Sequence, residues 1–448
     1  MKTIYTNIDK DIYIIPSSIE GLCLLYSPLR DISFLFADSL LPEVVGYYQN
    51  SVTPNNITIK EYICQIENTP FTLTCTSPDI DTENRAVIIL TQKCNLACSY
   101  CYAQHSRTQD ILSFEQIKHV VDYIFSKNNG KKKSFSFIGG GEPLVCWDVL
   151  QQTCDYIKIK SIESEIAYNI GIITNATLLT EDKIRWIAQN NIRVSVSFDI
   201  LPDIQNIQRP FAFKKSHSFD AVKKAILLLN QYNVKFKTRT TITQNIIERM
   251  PEMVEFIAEN FPFLRSLHLE PVTDTNVDYQ VFYPKFLKYF MDAYTLGQSK
   301  EIDVENSLTH SFFHIKNHFC MGELCITPEG LITACHRHSN QKDQHYERCL
   351  YGIVDDSHVV INQNHLDKVI QHRKSYSKKC ANCFAKWHCA GGCFSQGLTL
   401  NAEQRKEYCS YVKKFTRDFL EKQITKINDY LFYGSTSLMK VQYLGMNE

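Results

Sequence analysis

From Arg85 onward, short apolar runs rich in β-branched residues alternate with stretches of helical periodicity, which limits this part of the chain to a parallel sheet flanked by helices. The strand candidates are Ala86–Leu90, Ser134–Ile138, Tyr168–Ile173, Arg193–Phe198, Lys235–Thr241 and Ser266–Glu270. Between and after them the periodicity predicts helices over Phe114–Ser126, Trp147–Ile157, Glu181–Gln189, Phe219–Asn230, Ile247–Glu259 and Phe282–Leu296. Six βα units fall two short of a closed eight-stranded barrel. The expected fold is therefore α/β, a partial (βα)6 TIM-like barrel, with chemistry gathered at the carboxyl ends of its strands.

Two regions bracket the barrel, which is expected to span residues 85–307. Residues 1–84 contain strand-like runs at Asp11–Ile15, Leu22–Tyr26 and Asp31–Phe36, then a helical run near Leu41–Tyr48, and read as a small, separate N-terminal α+β domain. Residues 308–415 are rich in cysteine and poor in long elements, which predicts a domain held by metal rather than by a large apolar core. A final helix, Ala402–Tyr430, leads into a C-terminal tail, residues 416–448 covering the end of that helix and the tail. With 48 Lys and Arg against 48 Asp and Glu, no net field favours nucleic acid or a membrane surface. No sustained apolar N-terminal stretch or membrane-length run is present, so the expected compartment is the cytoplasm.

Without an export signal the 17 cysteines should stay reduced, and clustered reduced cysteines usually bind metal. Nine of the 17 lie between Cys320 and Cys409, and three more sit together at Cys94, Cys98 and Cys101. Cys23, Cys64, Cys75, Cys146 and Cys154 are scattered, and read as buried small hydrophobes. The group at Cys94, Cys98 and Cys101 follows directly on the first barrel strand. Three thiolates can hold three irons of a four-iron, four-sulfur cluster, whereas such clusters usually take four cysteines. One iron is left open to a chelating ligand, and the amino and carboxylate groups of a methionine derivative fit that role. Zinc, the bland alternative, prefers four closed ligands with paired two-residue spacers, not three in an x3 then x2 spacing.

Cys94-x3-Cys98-x2-Cys101, with Tyr100 before the third cysteine, resembles the signature loop of the radical S-adenosylmethionine (SAM) superfamily. Gly139-Gly140-Gly141-Glu142-Pro143, at the end of the second strand, resembles the family's GGEP motif, whose glycines let backbone approach a ligand closely. The resemblance makes Cys94, Cys98 and Cys101 the catalytic cluster ligands and assigns cofactor contacts to Tyr100, Tyr102, Gly140, Gly141 and Glu142. It extends those contacts to Asn175 after the third strand, to Ser197 and Asp199 at the end of the fourth, and to Arg209 as a carboxylate-binding arginine. Ile200 stands where the family often has glycine. Leu267–Glu270 with Pro271 resembles the sixth-strand segment beside the adenine.

Cys380-x2-Cys383-x5-Cys389-x3-Cys393, then Cys409, preceded by Cys320, Cys325, Gly330 and Cys335, is similar to the SPASM extension of such enzymes. That similarity implies two auxiliary four-iron clusters, one on Cys320, Cys325, Cys335 and Cys393, the other on Cys380, Cys383, Cys389 and Cys409. The general pattern does not require Cys325, and without it one auxiliary iron would be open to a substrate thiolate. Cys349 fits neither set. Two structural zinc sites are the alternative.

The implied cofactors are thus SAM and three four-iron clusters, fed by an electron donor such as flavodoxin or ferredoxin. Reductive cleavage of SAM would yield a 5′-deoxyadenosyl radical that takes hydrogen from a precursor peptide or protein, giving a thioether or carbon-carbon crosslink or another oxidative change. The layout of residues 1–84 resembles a winged-helix-like leader-peptide recognition domain, which adds the peptide as a strand; a plain packing extension is the other reading. Formylglycine formation, as in sulfatase maturation, is the nearest alternative. Those relatives usually carry aspartate after the cysteine matched by Cys335, and this chain has His336, leaving His336 or His338 as candidate bases. A non-catalytic electron-transfer or zinc scaffold protein, the alternative of another class, needs neither an open-site cluster nor a glycine-rich strand end.

Overall fold

The computed structural model describes residues 3–71, 80–104, 107–213, 216–273, 276–312, 318–320, 322–355, 357–378 and 380–425, with three short pieces beyond. Cys75 and residues 426–430, the end expected for the last helix, lie outside the described residues.

The N-terminal unit is an antiparallel sheet of β1 (Tyr5–Asn7), β2 (Ile12–Pro16), β3 (Leu22–Ser27) and β4 (Ile32–Ala37), followed by α1 (Leu41–Asn50) and α2 (Ile57–Asn68). Gln442–Tyr443 pairs with the outer side of β4. Because side chains alternate faces along a strand, the sheet buries both sides. Ile12, Ile14, Leu25, Phe34 and Phe36 pack with residues of α1 and α2 in a core of their own. Tyr13, Ile15, Leu24, Tyr26 and Leu35 join the main core. The unit is therefore not a detached domain.

The barrel runs β5 (Arg85–Ile88), α3 (Phe114–Ser126), β6 (Lys133–Phe137), α4 (Trp147–Ser164), β7 (Tyr168–Thr174), α5 (Glu181–Gln189), β8 (Arg193–Ser197), α6 (Pro202–Gln208), α7 (Ser218–Gln231), β9 (Phe236–Ile242), α8 (Met250–Asn260), β10 (Ser266–Pro271) and α9 (Tyr279–Ser299). Helix starts follow the sequence: Ser113 and Gln116 form a capping box on α3, and Thr180 caps α5. All six strands pair in parallel, as expected. Among the described residues the sheet has 11 strands, continuing past β10 into β11 (Asp303–Glu305), which is followed by the short α10 (Ser307–Phe312). Val194, Val196, Thr238 and Thr240 are buried beneath the helices, while Lys237 and Arg239 on the opposite face are exposed to the barrel lumen.

The region after Ser307 continues the barrel's sheet. Strand β12 (Leu324–Ile326) pairs in parallel with β5, and β13 (Leu331–Thr333), β14 (Leu350–Val354) and β15 (Val359–Ile361) extend the same sheet antiparallel. Helices α11 (Gln363–Lys378), α12 (Lys386–Cys389), α13 (Phe394–Thr399) and α14 (Ala402–Thr425) follow. Aromatic pairs bind α14 to α9: Tyr283 stacks on Tyr411 at 4.5 Å and Phe290 meets Phe415 at 5.5 Å between centroids. The N-terminal sheet docks on this half through Tyr26 with His388 and Ser18 with Glu421. Cys23, Cys146 and Cys154 are buried as expected, but Cys64 is exposed on α2.

Asp31 holds a left-handed backbone at φ 55°, and burial pushes its carboxyl up to about 7. A carboxyl raised on folding contributes stability that is present at acid pH and lost as pH rises through about 7. Asn tolerates this backbone and carries no charge. Asp31→Asn is expected to melt with wild type near pH 4 and about 2–4 °C above it at pH 8. Thermal melts across that range check this, and a constant difference counts against it.

Candidate active site

Beyond β5 the chain enters the loop bearing Cys94, Cys98 and Cys101. The end of α6 and the segment after it clamp this loop: Ala97 N–H donates to Pro210 O at 2.8 Å, Ser99 N–H to Gln208 O at 2.9 Å, and Ala212 N–H to Asn95 O at 2.9 Å. The three thiols lie within mutual electrostatic range. Burial raises Cys94 and pushes Cys98 up to about 11, since a bare thiolate there lacks water. Each sulfur nevertheless has N–H groups turned toward it. Leu96 N and Asn175 Nδ2 approach Cys94 Sγ at 3.5 and 3.9 Å, Arg209 Nη1 approaches Cys98 Sγ at 4.0 Å, and Arg107 Nη2 approaches Cys101 Sγ at 3.6 Å. Such donors suit sulfurs that carry charge on iron. Among the described residues no three metal-binding side chains converge on one ion; a four-iron cluster holds its thiolates on separate irons and asks for no such convergence.

The glycine-rich strand end leans directly on this loop. Gly141 N–H donates to Thr91 O at 2.9 Å and Glu142 N–H to Lys93 O at 2.8 Å. A Cβ on Gly141 would stand 1.9 Å from Lys93 O, so no side chain fits. Gly140 has φ 59° and would meet Gln92, which is 1% exposed and leaves its Nε2 unpartnered among the described residues. A buried, unpartnered donor beside bare backbone suits a small polar ligand. Glu142 is itself buried, and its carboxylate accepts from Thr174 Oγ1 at 2.6 Å, Asn175 N–H at 2.8 Å and Leu144 N–H at 3.1 Å. It joins the ends of β6 and β7. Asn175 Nδ2 also donates to Asn95 Oδ1 at 2.9 Å, linking the β7 end to the cysteine loop.

Asp199, fully buried, receives Tyr100 Oη at 2.8 Å and Gln208 Nε2 at 2.9 Å, with Arg209 Nε at 3.1 Å. The Arg209 guanidinium also lies over the Tyr100 ring, 5.2 Å from its centroid. Ser197 faces the lumen beside Arg239, its registered partner on β9. Among the expected cofactor contacts, Glu142, Asp199, Tyr100 and Arg209 are thus largely engaged with one another or with backbone. Tyr102, 44% exposed, and the Gly139–Gly141 backbone border the lumen.

Of the expected auxiliary ligands, Cys335 lies in electrostatic range of Cys320 and Cys393. Arg373 Nη1 points at Cys320 Sγ at 3.8 Å, and Arg337 acts on Cys393. Cys325, fully buried in β12, packs on Val87 and Ile89 inside the barrel. Cys349 is buried near Cys335 and Cys325. Cys380, Cys383, Cys389 and Cys409 form a second group within mutual range, with Lys413 beside it.

Tyr102 connects the first cysteine loop to the auxiliary region. Arg337 lies 5.1 Å from its ring and His336 meets it edge-on at 6.2 Å. His336 Nδ1 pairs with Glu323 at 2.9 Å, and its Cβ stands 3.1 Å from where a Gly139 side chain would begin. Burial works to raise the Glu323 carboxyl, but His336 and Arg85 outweigh it and hold the carboxyl below its ordinary range. His338 is enclosed, with Nδ1 on Asp343 at 3.0 Å and Nε2 on Ser395 at 2.8 Å. Glu323, Arg107, Gln92 and Gln208 belong to no motif and carry no sequence signal.

Residues 88–257 match the family model of the radical SAM superfamily. This chain carries a radical SAM domain. It is 31% identical over 178 residues to the uncharacterized protein MJ0907 of Methanocaldococcus jannaschii, a match covering 40% of this chain and 59% of that one. It is 26% identical to a cysteine-type anaerobic sulfatase-maturating enzyme of Clostridium novyi, over 75% of this chain and 93% of the relative. Among solved structures, native anSMEcpe with bound AdoMet and Kp18Cys peptide superposes with a TM-score of 0.62 at 19% identity, covering 75% of this chain and 99% of that one. The fold of the chain is thus that of anSMEcpe. Among the described residues no helix is long and apolar enough to cross a membrane.

Gly141→Ala is expected to displace the cysteine loop at a cost on the order of 3 kcal/mol or more. Iron analysis of the reconstituted variant should show about four fewer irons per chain than wild type. Undiminished iron would mean that the loop tolerates the methyl group.

Proposed function

We propose that this chain is a radical SAM maturase acting on a ribosomally made peptide or protein, with three four-iron clusters. The observation that carries the reading is the lumen itself, bounded by Cys101 and Tyr102 on one side and by His336, Arg337 and Cys335 on the other. When bound to the first cluster, SAM supplies a 5′-deoxyadenosyl radical able to take hydrogen from an unactivated carbon.

The chain's own residues bind and orient. Cys94, Cys98 and Cys101 would hold the first cluster, with Arg107, Arg209 and Asn175 directed at their sulfurs. The Gly140 and Gly141 backbone, Gln92, Tyr102, Asn175 and Ser197 would receive SAM. Asp199 and Glu142 act one layer behind, fixing Tyr100, Arg209 and the strand ends. Cys320, Cys335 and Cys393, and the set of Cys380, Cys383, Cys389 and Cys409, would hold the auxiliary clusters that accept the electron left on the substrate. Cys325, packed at the lumen beside Val87, completes the first auxiliary set or leaves one iron open. Electrons come from a flavodoxin or ferredoxin. The N-terminal sheet, seated on α12 next to Cys389, would hold the peptide's leader.

Formylglycine formation is the second reading, supported by the match over 75% of this chain to the sulfatase-maturating enzyme. His336, oriented by Glu323 and open toward Tyr102, is then the group beside the substrate, whereas His338 is enclosed.

Anaerobically reconstituted enzyme should bind about twelve irons and release 5′-deoxyadenosine from SAM. Replacing Cys94, Cys98 and Cys101 together by Ala should leave about eight irons and no 5′-deoxyadenosine; unchanged iron would overturn the assignment. Mass spectrometry of a co-expressed precursor peptide separates the readings. Loss of two hydrogens with every heavy atom kept and no hydrazide-reactive aldehyde is expected for crosslinking; a hydrazide-reactive aldehyde, with loss of two hydrogens from a serine, or with that loss plus exchange of sulfur for oxygen at a cysteine, would establish formylglycine formation instead.

A further inference from the structure

Across β8 to β11 the strand register sets four polar residues in one row on the lumen face: Ser197 opposite Arg239, Arg239 opposite His268, and His268 opposite Glu305. Parallel pairing puts registered residues on the same face of a sheet. One step further down the strands, Ser195 is opposite Lys237. Of these, Ser195, Lys237, Arg239, His268 and Glu305, together with Ser307, His310 and Phe319, line a cavity of about 280 Å³, room for several waters or a small polar group.

The charged groups in and beside this cavity are unevenly paired. Glu270 and Glu305 are both held down to about 2, so both are anionic. His268 sits between them, its Nε2 2.8 Å from Glu270 and its Nδ1 3.7 Å from Glu305. Burial works against its proton, but the two carboxylates raise its pKa above the ordinary imidazole value. Lys237 reaches Glu305 at 3.3 Å. Arg239 approaches only Glu270 among the described carboxylates, at 3.8 Å, which is beyond hydrogen-bond reach, and 46% of its side chain stays exposed. The Arg239 guanidinium is thus the group left without a close acceptor. A planar guanidinium with free donors in a recess is built for a carboxylate.

The cavity adjoins the chemistry. Phe319, which lines it, precedes Cys320 and also borders the recess around Cys320 and Cys393. Ser197 ties the same row to the expected SAM contacts.

We propose that this cavity is a substrate-anchoring subsite in which Arg239 receives a carboxylate of the peptide, either an acidic side chain or the C-terminal carboxylate, with Lys237 adding long-range attraction. The inference rests on the peptide-maturase reading and adds a substrate chemistry to it: a peptide carrying an anionic anchor near the residue to be modified.

The test uses full-length, iron-replete protein with SAM bound, panned against a short random peptide library made once with C-terminal acids and once with C-terminal amides. Wild type is expected to enrich peptides with Asp or Glu at a fixed position about tenfold over their Asn or Gln counterparts, or acids over amides to the same degree. The first result assigns the anchor to a side chain and the second to the C-terminus. Arg239→Lys should keep the preference, and Arg239→Glu with normal iron content should replace it by a preference for Lys and Arg. Equal retention of acidic, neutral and amidated peptides by wild type overturns the subsite while leaving the peptide reading intact. Persistence of the acidic preference in Arg239→Glu also overturns it. Retention of no peptide at all refutes the peptide reading and the subsite with it.

Discussion

Three thiols on a loop between a strand and a helix cannot hold their own spacing, and the cysteine loop is shaped by a buried electrostatic knot behind it. Asp199 gathers Tyr100, Gln208 and Arg209, and Arg209 turns on to Cys98. All of these groups are withdrawn from water, so the knot is stable only while every member is present. Removing one partner of such a buried pair costs about 3–5 kcal/mol, because the other charge is left alone. On the opposite flank Gly141 brings the β6 end against Lys93 at a distance that no side chain permits. Cluster geometry therefore depends on residues from three strand ends, and the cysteines supply only the sulfur.

An ordinary parallel barrel fills its lumen with branched aliphatic side chains. Here the outward face of β8 to β10 is buried under helices, while the inward face carries Ser195, Ser197, Lys237, Arg239 and His268. Stability comes from the outer layer, which leaves the inner one free to be polar. That division of labour lets one sheet serve both as scaffold and as the wall of a polar cavity.

The C-terminal half closes the open side without a new core. Strand β12 continues the barrel sheet beside β5, which brings Cys325, Cys335 and His336 to the lumen rim near Tyr102. The stacked aromatics of α9 and α14 hold the helix that carries Cys409. Burial of Phe384, Phe394, Tyr411, Phe415 and Phe419 in the main core anchors the segments that carry Cys380, Cys383, Cys389, Cys393 and Cys409.

The six barrel strands and most of their helices were legible in the sequence, because each strand alternates under its own helix and each helix shows its own period and cap, as at Ser113 and Thr180. The cysteine spacings, read together with the glycine-rich strand end, named the chemistry, since sulfur ligands close in sequence must share one site. The sequence was silent where partners are distant along the chain. Nothing in it foretold that Asp199 is spoken for by Arg209 and Tyr100, that Glu323 orients His336, or that Arg239 lines up with His268 and Ser197. Nor did it reveal that the cysteine-rich region shares the barrel's sheet and core, because those contacts join three-residue strands and single aromatic side chains too short to show a period. Local spacing settled which atoms can bind metal; strand register and long-range packing decided what surrounds them, because only the folded chain sets which residues face one another across neighbouring strands.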